Sequence, residues 1–379
     1  ARIAKQSDDE LFQTLESEHF SDRLRAQQEI ARRGDKHRPA LLKLLGDEDN
    51  KPAPARIAAL GALQAMWSDD VRAAFIDRLR DFSPDIRRLA ADGLALNVKK
   101  GDNDAHEALV QQLGDEDLNV RRAMYLAIGR IGNANAGDVI VNGLQFDKKL
   151  DDVLTDGLVR ALEHTGKDGI QKLLALADSG SEKDLQRVLE VYPALRSHEA
   201  AEQLPTLLKN YHVTPEQKVT LIRAYASYQH DPPVSLDPLV KFLGELPPEP
   251  SKKITAAQLN AMKLAALDVL AGAGKIESDR VKTTLLAMLK TDDARTRAAL
   301  LKTIGDARLT SAAPILVSQL QAAADDAERL PLVRTLGQLG ERSAFDAVKA
   351  HVSSKDPELR VEALRALGSI DNRPAQKFA

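Results

Sequence analysis

A chain of 379 residues that is 43% hydrophobic and 29% charged carries enough apolar surface to fold, either as two or three ordinary domains or as one long repeat array. Only 4% of it is aromatic, so its core must come from Leu, Ala, Ile and Val, which suits thin helical layers better than β-sandwiches. A formal charge of −3 gives no global attraction to nucleic acid or anionic membrane. With no cysteine, disulfides, thiolate metal sites, covalent haem attachment and a cysteine nucleophile are excluded from these residues.

The first residues, Ala1-Arg2-Ile3-Ala4-Lys5-Gln6, lack an initiator methionine and the apolar core of a signal peptide, and read as the start of a processed or excised segment. Ser7-Asp-Asp-Glu10 is a capping box opening the first helix. Pro39 to Leu45, Ala105 to Leu113 and Val281 to Leu289 are apolar-periodic helical runs. Ser83-Pro84-Asp85, Thr214-Pro215-Glu216 and Asp356-Pro357-Glu358 each place a capping side chain ahead of proline at the first position of a helix. Gly34, Gly132, Gly166, Gly274 and Gly340 fall where helices should stop. Leu246-Pro-Pro-Glu-Pro-Ser-Lys-Lys253 predicts an inserted, exposed loop of extended character. No stretch alternates with period two between hairpin turns, so essentially no sheet is expected.

One pattern recurs through these elements. A basic residue is followed by a small or apolar residue three later, an apolar residue seven later, and then Gly or Ala. Arg360-Val-Glu-Ala363-Leu-Arg-Ala-Leu367-Gly368 and Arg121-Arg-Ala-Met124-Tyr-Leu-Ala-Ile128-Gly129 show it well. The anchors are Arg23, Arg56, Arg87, Arg121, Thr155, Arg187, Lys218, Lys263, Arg297, Arg329 and Arg360, with steps of 33, 31, 34, 34, 32, 31, 45, 34, 32 and 31. Positions i, i+3 and i+7 share one helix face, so each anchor marks an amphipathic helix paired with the helical run before it. The match weakens over residues 181–260, and the 45-residue step marks the insertion. A helical pair cannot bury its apolar faces alone. About eleven such pairs, stacked side by side over residues 1–379 as one array, complete each other's core.

Acids precede the anchors by a few residues, as Asp81 precedes Arg87 and Asp115 precedes Arg121. This predicts a structural ladder in which Arg56, Arg87, Arg121, Arg297, Arg329 and Arg360 pair with carboxylates of neighbouring layers, since a guanidinium donates to two acceptors at once. A phosphate-binding stripe is the rival reading of the same residues.

The run from Asp356 to Gly368, with Asp117-Leu-Asn-Val-Arg121, resembles HEAT and HEAT-like repeats, particularly the shorter bacterial type related to phycobilisome-lyase-like repeats. The resemblance covers roughly residues 8–371. It implies an all-α fold, an α-solenoid wound as a right-handed superhelix, and a protein–protein scaffold. A minority of such repeats bind nucleic acid, as the HEAT-like DNA glycosylases do, or serve as lyase or chaperone for a tetrapyrrole-carrying protein. More narrowly, Ser7 to Leu15 with Arg23 to Gly34 is similar to the HEAT segment of planctomycete-type multidomain proteins, which join a dehydrogenase-like propeller to a cytochrome c-like domain. That likeness implies an interdomain spacer in the periplasm or cell envelope. Otherwise a cytoplasmic scaffold is expected.

Signs of chemistry are weak. His198-Glu199-Ala-Ala-Glu202 lacks the second histidine of a zinc-protease helix. The other histidines have no ligand spacing. Gly272-Ala-Gly274-Lys275 lacks the strand and the Ser/Thr of a phosphate loop, and no Gly-x-Ser-x-Gly elbow occurs. Acid pairs such as Asp69-Asp70 sit at helix starts, where the dipole favours them. No catalytic residue, metal ligand or cofactor is therefore expected. Four of the five tyrosines lie in the irregular middle with His212 and His230. Of these, Tyr192, Tyr228 and His230 are the candidates for partner contact, because tyrosine is enriched at interface hot spots. Tyr225, seven after Lys218, reads as core, and Trp67 as packing. The expected role is a non-catalytic scaffold for a protein partner or for neighbouring domains of the same polypeptide.

Overall fold

The computed structural model describes residues 3–146, 151–228, 235–247, 249–273, 276, 278–291 and 293–371. Among them there is no strand, and the chain is an all-α solenoid of paired helices. It divides into two compact units, residues 1–199 and 200–379.

The first unit runs through α1 (Asp8–Leu15), α2 (Phe20–Arg33), α3 (Arg38–Gly46), α4 (Ala53–Gln64), α5 (Asp69–Asp77), α6 (Pro84–Asn97), α7 (Asn103–Gln111), α8 (Leu118–Ile131), α9 (Ala136–Phe146), α10 (Asp152–Thr165), α11 (Lys167–Ala177) and α12 (Glu182–Val191). Even-numbered helices pack on even-numbered ones from α2 to α10, and α3, α5 and α7 form the second row. The second unit takes up α13 (His198–Lys209), which straddles the boundary, then α14 (Pro215–Ala224), α15 (Asp237–Glu245), α16 (Ala256–Gly272), α17 (Asp279–Met288), α18 (Ala294–Asp306), α19 (Ala313–Ala322), α20 (Asp326–Leu339), α21 (Phe345–Lys349) and α22 (Pro357–Asp371). There α14, α16, α18, α20 and α22 stack in one row.

Local chemistry sets the helix ends. Ser7 and Glu10 form the reciprocal capping box of α1, and Thr214 with Gln217 forms that of α14. Asp117 caps α8 by accepting from Asn119 and Val120. Gly132 and Gly340 end α8 and α20 in the left-handed conformation, at φ 65° and 63°, which L side chains rarely adopt. Gly274 and Lys275 lie outside the described residues.

Every anchor lies on an even-numbered helix, and nine of the eleven are its fourth residue. The two exceptions correct the register in the middle of the chain. Arg187 is the sixth residue of α12 and Lys263 the eighth of α16, so the fourth positions there are Leu185 and Leu259. The steps of 45 and 34 residues thus become steps of 41 and 38, from Lys218 to Leu259 and on to Arg297. Lys263 misled because i and i+4 share a helix face.

The core is aliphatic and thin. Ile30, Leu63, Leu94, Ile128 and Leu162, each seven beyond a fourth position, are all fully buried. Trp67 packs edge-on against Phe75, with ring centroids 5.1 Å apart.

The first helical pair is held by a charged cluster. Glu29, only 7% exposed, accepts from Arg32 and Arg33, and Arg33 also reaches Asp8 at 2.7 Å. Hydrogen bonds from Lys36 and then Arg33 lower the Asp8 carboxyl to about 2. Those from Arg32 and then Arg33 lower Glu29 to about 2. Both pKa values are depressed on folding, so the stabilisation is complete above the ordinary carboxylate range and is lost as pH falls through that range towards about 2. We expect the Tm of the wild-type chain to drop over that window. The Asp8→Asn/Glu29→Gln double variant should be less stable at neutral pH and show a flatter Tm profile below about pH 5. A profile as steep as the wild type's would refute this.

Candidate interaction surface

The anchor arginines do two different jobs. Five donate to the carbonyl six residues upstream, bracing the turn that leads into their own helix: Arg23 to Ser17 at 2.7 Å, Arg87 to Asp81 at 2.9 Å, Arg297 to Thr291 at 2.9 Å, Arg329 to Ala323 at 2.8 Å and Arg360 to Ser354 at 2.7 Å. Among the described residues, one of these five, Arg87, also reaches the next layer, and so does Arg56. Arg56 meets Asp81 at 2.5 Å, and Arg87 binds Asp115 through two bonds of 2.6 and 2.9 Å. Among the described residues, Arg297, Arg329 and Arg360 make no bridge between layers and turn instead on their own repeats, which departs from the ladder expected of them. The reason is where the acid sits. Asp81 and Asp115 lie six before the next anchor, where one oxygen accepts the backbone N–H two residues on and the carboxylate still receives the arginine, at the other oxygen of Asp81 and at both oxygens of Asp115. Asp293, Asp325 and Asp356 lie four before, as helix caps accepting from Thr296, Glu328 and Leu359. Arg121 is half-buried beside Tyr125, in an open cavity of about 410 Å³ bounded by α7, α8 and α9.

The tyrosines divide similarly. Tyr192 is fully buried and offers no contact area to a partner. Its position explains why. It is seven beyond Leu185, the place that Ile128 and Leu162 fill in their layers, and the Arg187 register hid this. Tyr225 is likewise fully buried, and its hydroxyl donates to the Ser235 carbonyl. Tyr228 ends a 3-10 turn; its side chain, and all of His230, lie outside the described residues. Among exposed aromatics, Tyr211 is 87% exposed and stacks on His212 at 3.8 Å.

A more organised surface lies on α6, α8 and α10, and it was missed from the sequence. Residues one, five and nine beyond the anchors repeat every 34 positions: Arg88, Arg122 and Asp156; Asp92, Leu126 and Arg160; Leu96, Arg130 and His164. Residues four apart lie on successive turns of one helix face, and none of the nine is buried. Close packing fixes their spacing. A Cβ at Gly129 would meet the Ala161 carbonyl oxygen at 2.6 Å, and one at Gly157 would meet Arg122 Cγ at 2.7 Å, so α8 and α10 touch along their length. The sequence signal was this strict 34-residue repetition of mostly charged positions off the core face, which anchoring on core positions passes over.

The two ends of this face differ electrostatically. At the N-terminal end Arg122 meets Asp156 at 2.5 Å, Asp156 meets Arg160 at 2.8 Å, and Arg88 meets Asp92 at 3.3 Å. Burial raises the Asp92 pKa despite nearby Arg88, Arg122 and Arg130. Desolvation, then Arg130, lowers that of His164. At the C-terminal end Lys99, Lys100 and Arg130 are exposed. Among the described residues, no metal-binding group of three His, Asp or Glu side chains occurs.

Comparison with known proteins bears on the repeat. Residues 72–163 and 313–378 match the family of HEAT repeats. These two stretches are similar to HEAT repeats. The first contains eight of the nine residues of that face and ends one residue short of His164. Solved HEAT solenoid neighbours include Kap121p bound to Pho4p, at 13% identity and TM-score 0.53, covering 97% of this chain and 46% of that one. Free Kap121p gives 14% and 0.52, covering 95% and 45%. At such identities the likeness is one of fold. A probable dual-specificity RNA methyltransferase RlmN from Aquifex aeolicus (strain VF5) is 25% identical over 163 residues, 41% of this chain and 46% of that protein. The chain thus spans under half the length of each of these matches. No described helix is long and apolar enough to cross a membrane.

Proposed function

We propose that this chain is a protein-binding scaffold whose docking surface is the exposed face of α6, α8 and α10. The observation that carries the reading is the three-by-three array of exposed and half-buried side chains at strict 34-residue spacing. It combines self-paired charges, Arg130, which has no carboxylate partner among the described residues, and Leu96, which is 59% exposed. Rigid stacked helices hold such an array in fixed geometry, which limits the entropy lost when a partner binds. The HEAT fold supports the same reading, since its repeats present long surfaces to a partner. The N-terminal likeness to multidomain redox proteins fits a spacer whose face meets a neighbouring domain.

A photo-crosslinking residue placed at Leu126 or at Glu107 of the full chain in its native host tests this. Glu107 is exposed on α7, in the other row. We expect one discrete protein adduct from position 126 and none from 107. Adducts of equal yield from both positions, or adducts to nucleic acid alone, would overturn the reading.

A further inference from the structure

On the reading of α6, α8 and α10 as a docking surface, we propose that its C-terminal end binds an acidic peptide segment of the partner, through Lys100, Arg130 and His164 beside the apolar Leu96.

Two structural contacts and one repeat relation bring these residues together. Gly101 N–H donates to the Ile131 carbonyl at 2.7 Å, which pins the Lys99-Lys100 turn to the end of α8, next to Arg130. The Gly129–Ala161 approach presses α8 onto α10 at the level of Arg130 and His164. Leu96, Arg130 and His164 hold equivalent places in consecutive layers, 34 residues apart.

The cations there lack carboxylate partners. Neither Lys99, Lys100 nor Arg130 makes an ion pair within 4.0 Å among the described residues, whereas the next turn up is neutralised by its own Asp92 and Asp156. Glu163, the acid beside His164, accepts the Arg196 backbone N–H at 2.5 Å. Cations at helix C-termini offset the dipole there. That accounts for one such residue per helix end, but not for the pair Lys99 and Lys100 after α6 together with Arg130 around an exposed leucine.

Size and surroundings select the partner. Stacked helices lie about 8–10 Å apart, so three of them span roughly 20 Å, the length of about six extended residues. Asp92 and Asp156 on the same face are paired with Arg88, Arg122 and Arg160, so the unpaired cations are confined to this short patch and offer a longer polyphosphate strand no continuing track. No exposed aromatic ring stands on the array to stack a base, as single-stranded nucleic acid binding requires. A short run of Asp or Glu with one apolar residue meets both the cations and Leu96.

The probe is a fluorescein-labelled octapeptide of seven glutamates and one leucine, followed by anisotropy with the full chain. We expect saturable binding that weakens roughly tenfold or more in Arg130→Glu and in Lys100→Glu, because a cation reversed in sign repels the ligand it attracted. Lys43→Glu, on the remote helix α3, should bind as wild type. Binding should also weaken as salt rises from about 50 to about 200 mM. All three substitutions are at exposed positions, and unchanged Tm values verify folding. Equal losses in all three variants, no binding, or tighter binding of a single-stranded oligoribonucleotide of equal charge would each overturn the proposal. Crosslinking from Leu126 that persists in Arg130→Glu, where the octapeptide binds as tightly as to wild type, would leave the docking surface standing while removing this occupant.

Discussion

Arg56→Ala should cost about 3–5 kcal/mol of stability, the magnitude for breaking a buried ion pair from one side. Arg56 is 4% exposed and Asp81 2%. The Arg56 side chain joins α4 to the turn ahead of α6, in the next layer. Its loss leaves Asp81 with the Ser83 N–H at 2.9 Å and the more distant Arg78 at 3.4 Å. Arg78 cannot swing in to replace it, being held by Glu48 and Asp77. The contrast is Arg360→Ala, which removes one hydrogen bond to a carbonyl within its own turn and should cost about 0.5–1.5 kcal/mol. Stacked repeats unfold locally, so the measurement is denaturant unfolding together with amide exchange in α4 and α6. Arg56→Met with Asp81→Leu should recover much of the loss, because no charge is then left buried alone. Equal costs for Arg56→Ala and Arg360→Ala would show that the bridge between layers adds nothing beyond the turn brace.

That contrast also marks what the sequence could disclose. The helical pairs were legible because each is a short amphipathic unit with its own caps, and a basic residue at the fourth position recurs in eight layers, Thr155 standing there in a ninth. The arginine's destination was not legible from its presence alone. It depends on whether the acid of the following layer stands six residues before that layer's anchor, as Asp115 does before Arg121, or four, as Asp356 does before Arg360. Two residues of difference turn a bridge between layers into a helix cap. The middle failed for another reason: Leu185 and Leu259 occupy the anchor positions, so the nearest cations misled, and Tyr192 was moved from core to surface. The nine-residue face escaped notice because exposed positions vary in type from layer to layer. Only their spacing repeats.

Gly129→Val should destabilise the first unit by about 3 kcal/mol, and Gly129→Ala by about 1–2 kcal/mol, since overpacking against backbone lies at the upper end of its usual range, about 2–3 kcal/mol, against a helix-propensity gain of about 1 kcal/mol for alanine. The atoms in the way are Ala161 O at 2.6 Å, Cα at 2.8 Å and C at 3.1 Å, all backbone, so no side chain can rotate aside and the helices themselves must part. Gly46, the last residue of α3, has open space on all sides, with no atom within 4 Å of the place a Cβ would take, and Gly46→Ala should be neutral or slightly stabilising. Thermal and denaturant unfolding of the three variants measure this; a Gly129→Ala as stable as wild type would mean that α8 and α10 are not pressed together. The same separation would carry Arg130 away from His164 and Arg160. Gly129→Ala should therefore weaken binding of the acidic octapeptide without altering any charge, and Gly46→Ala should leave it intact. A face that binds through geometry as well as charge must respond to both kinds of substitution, whereas a diffuse field of cations would respond to the charge reversals alone.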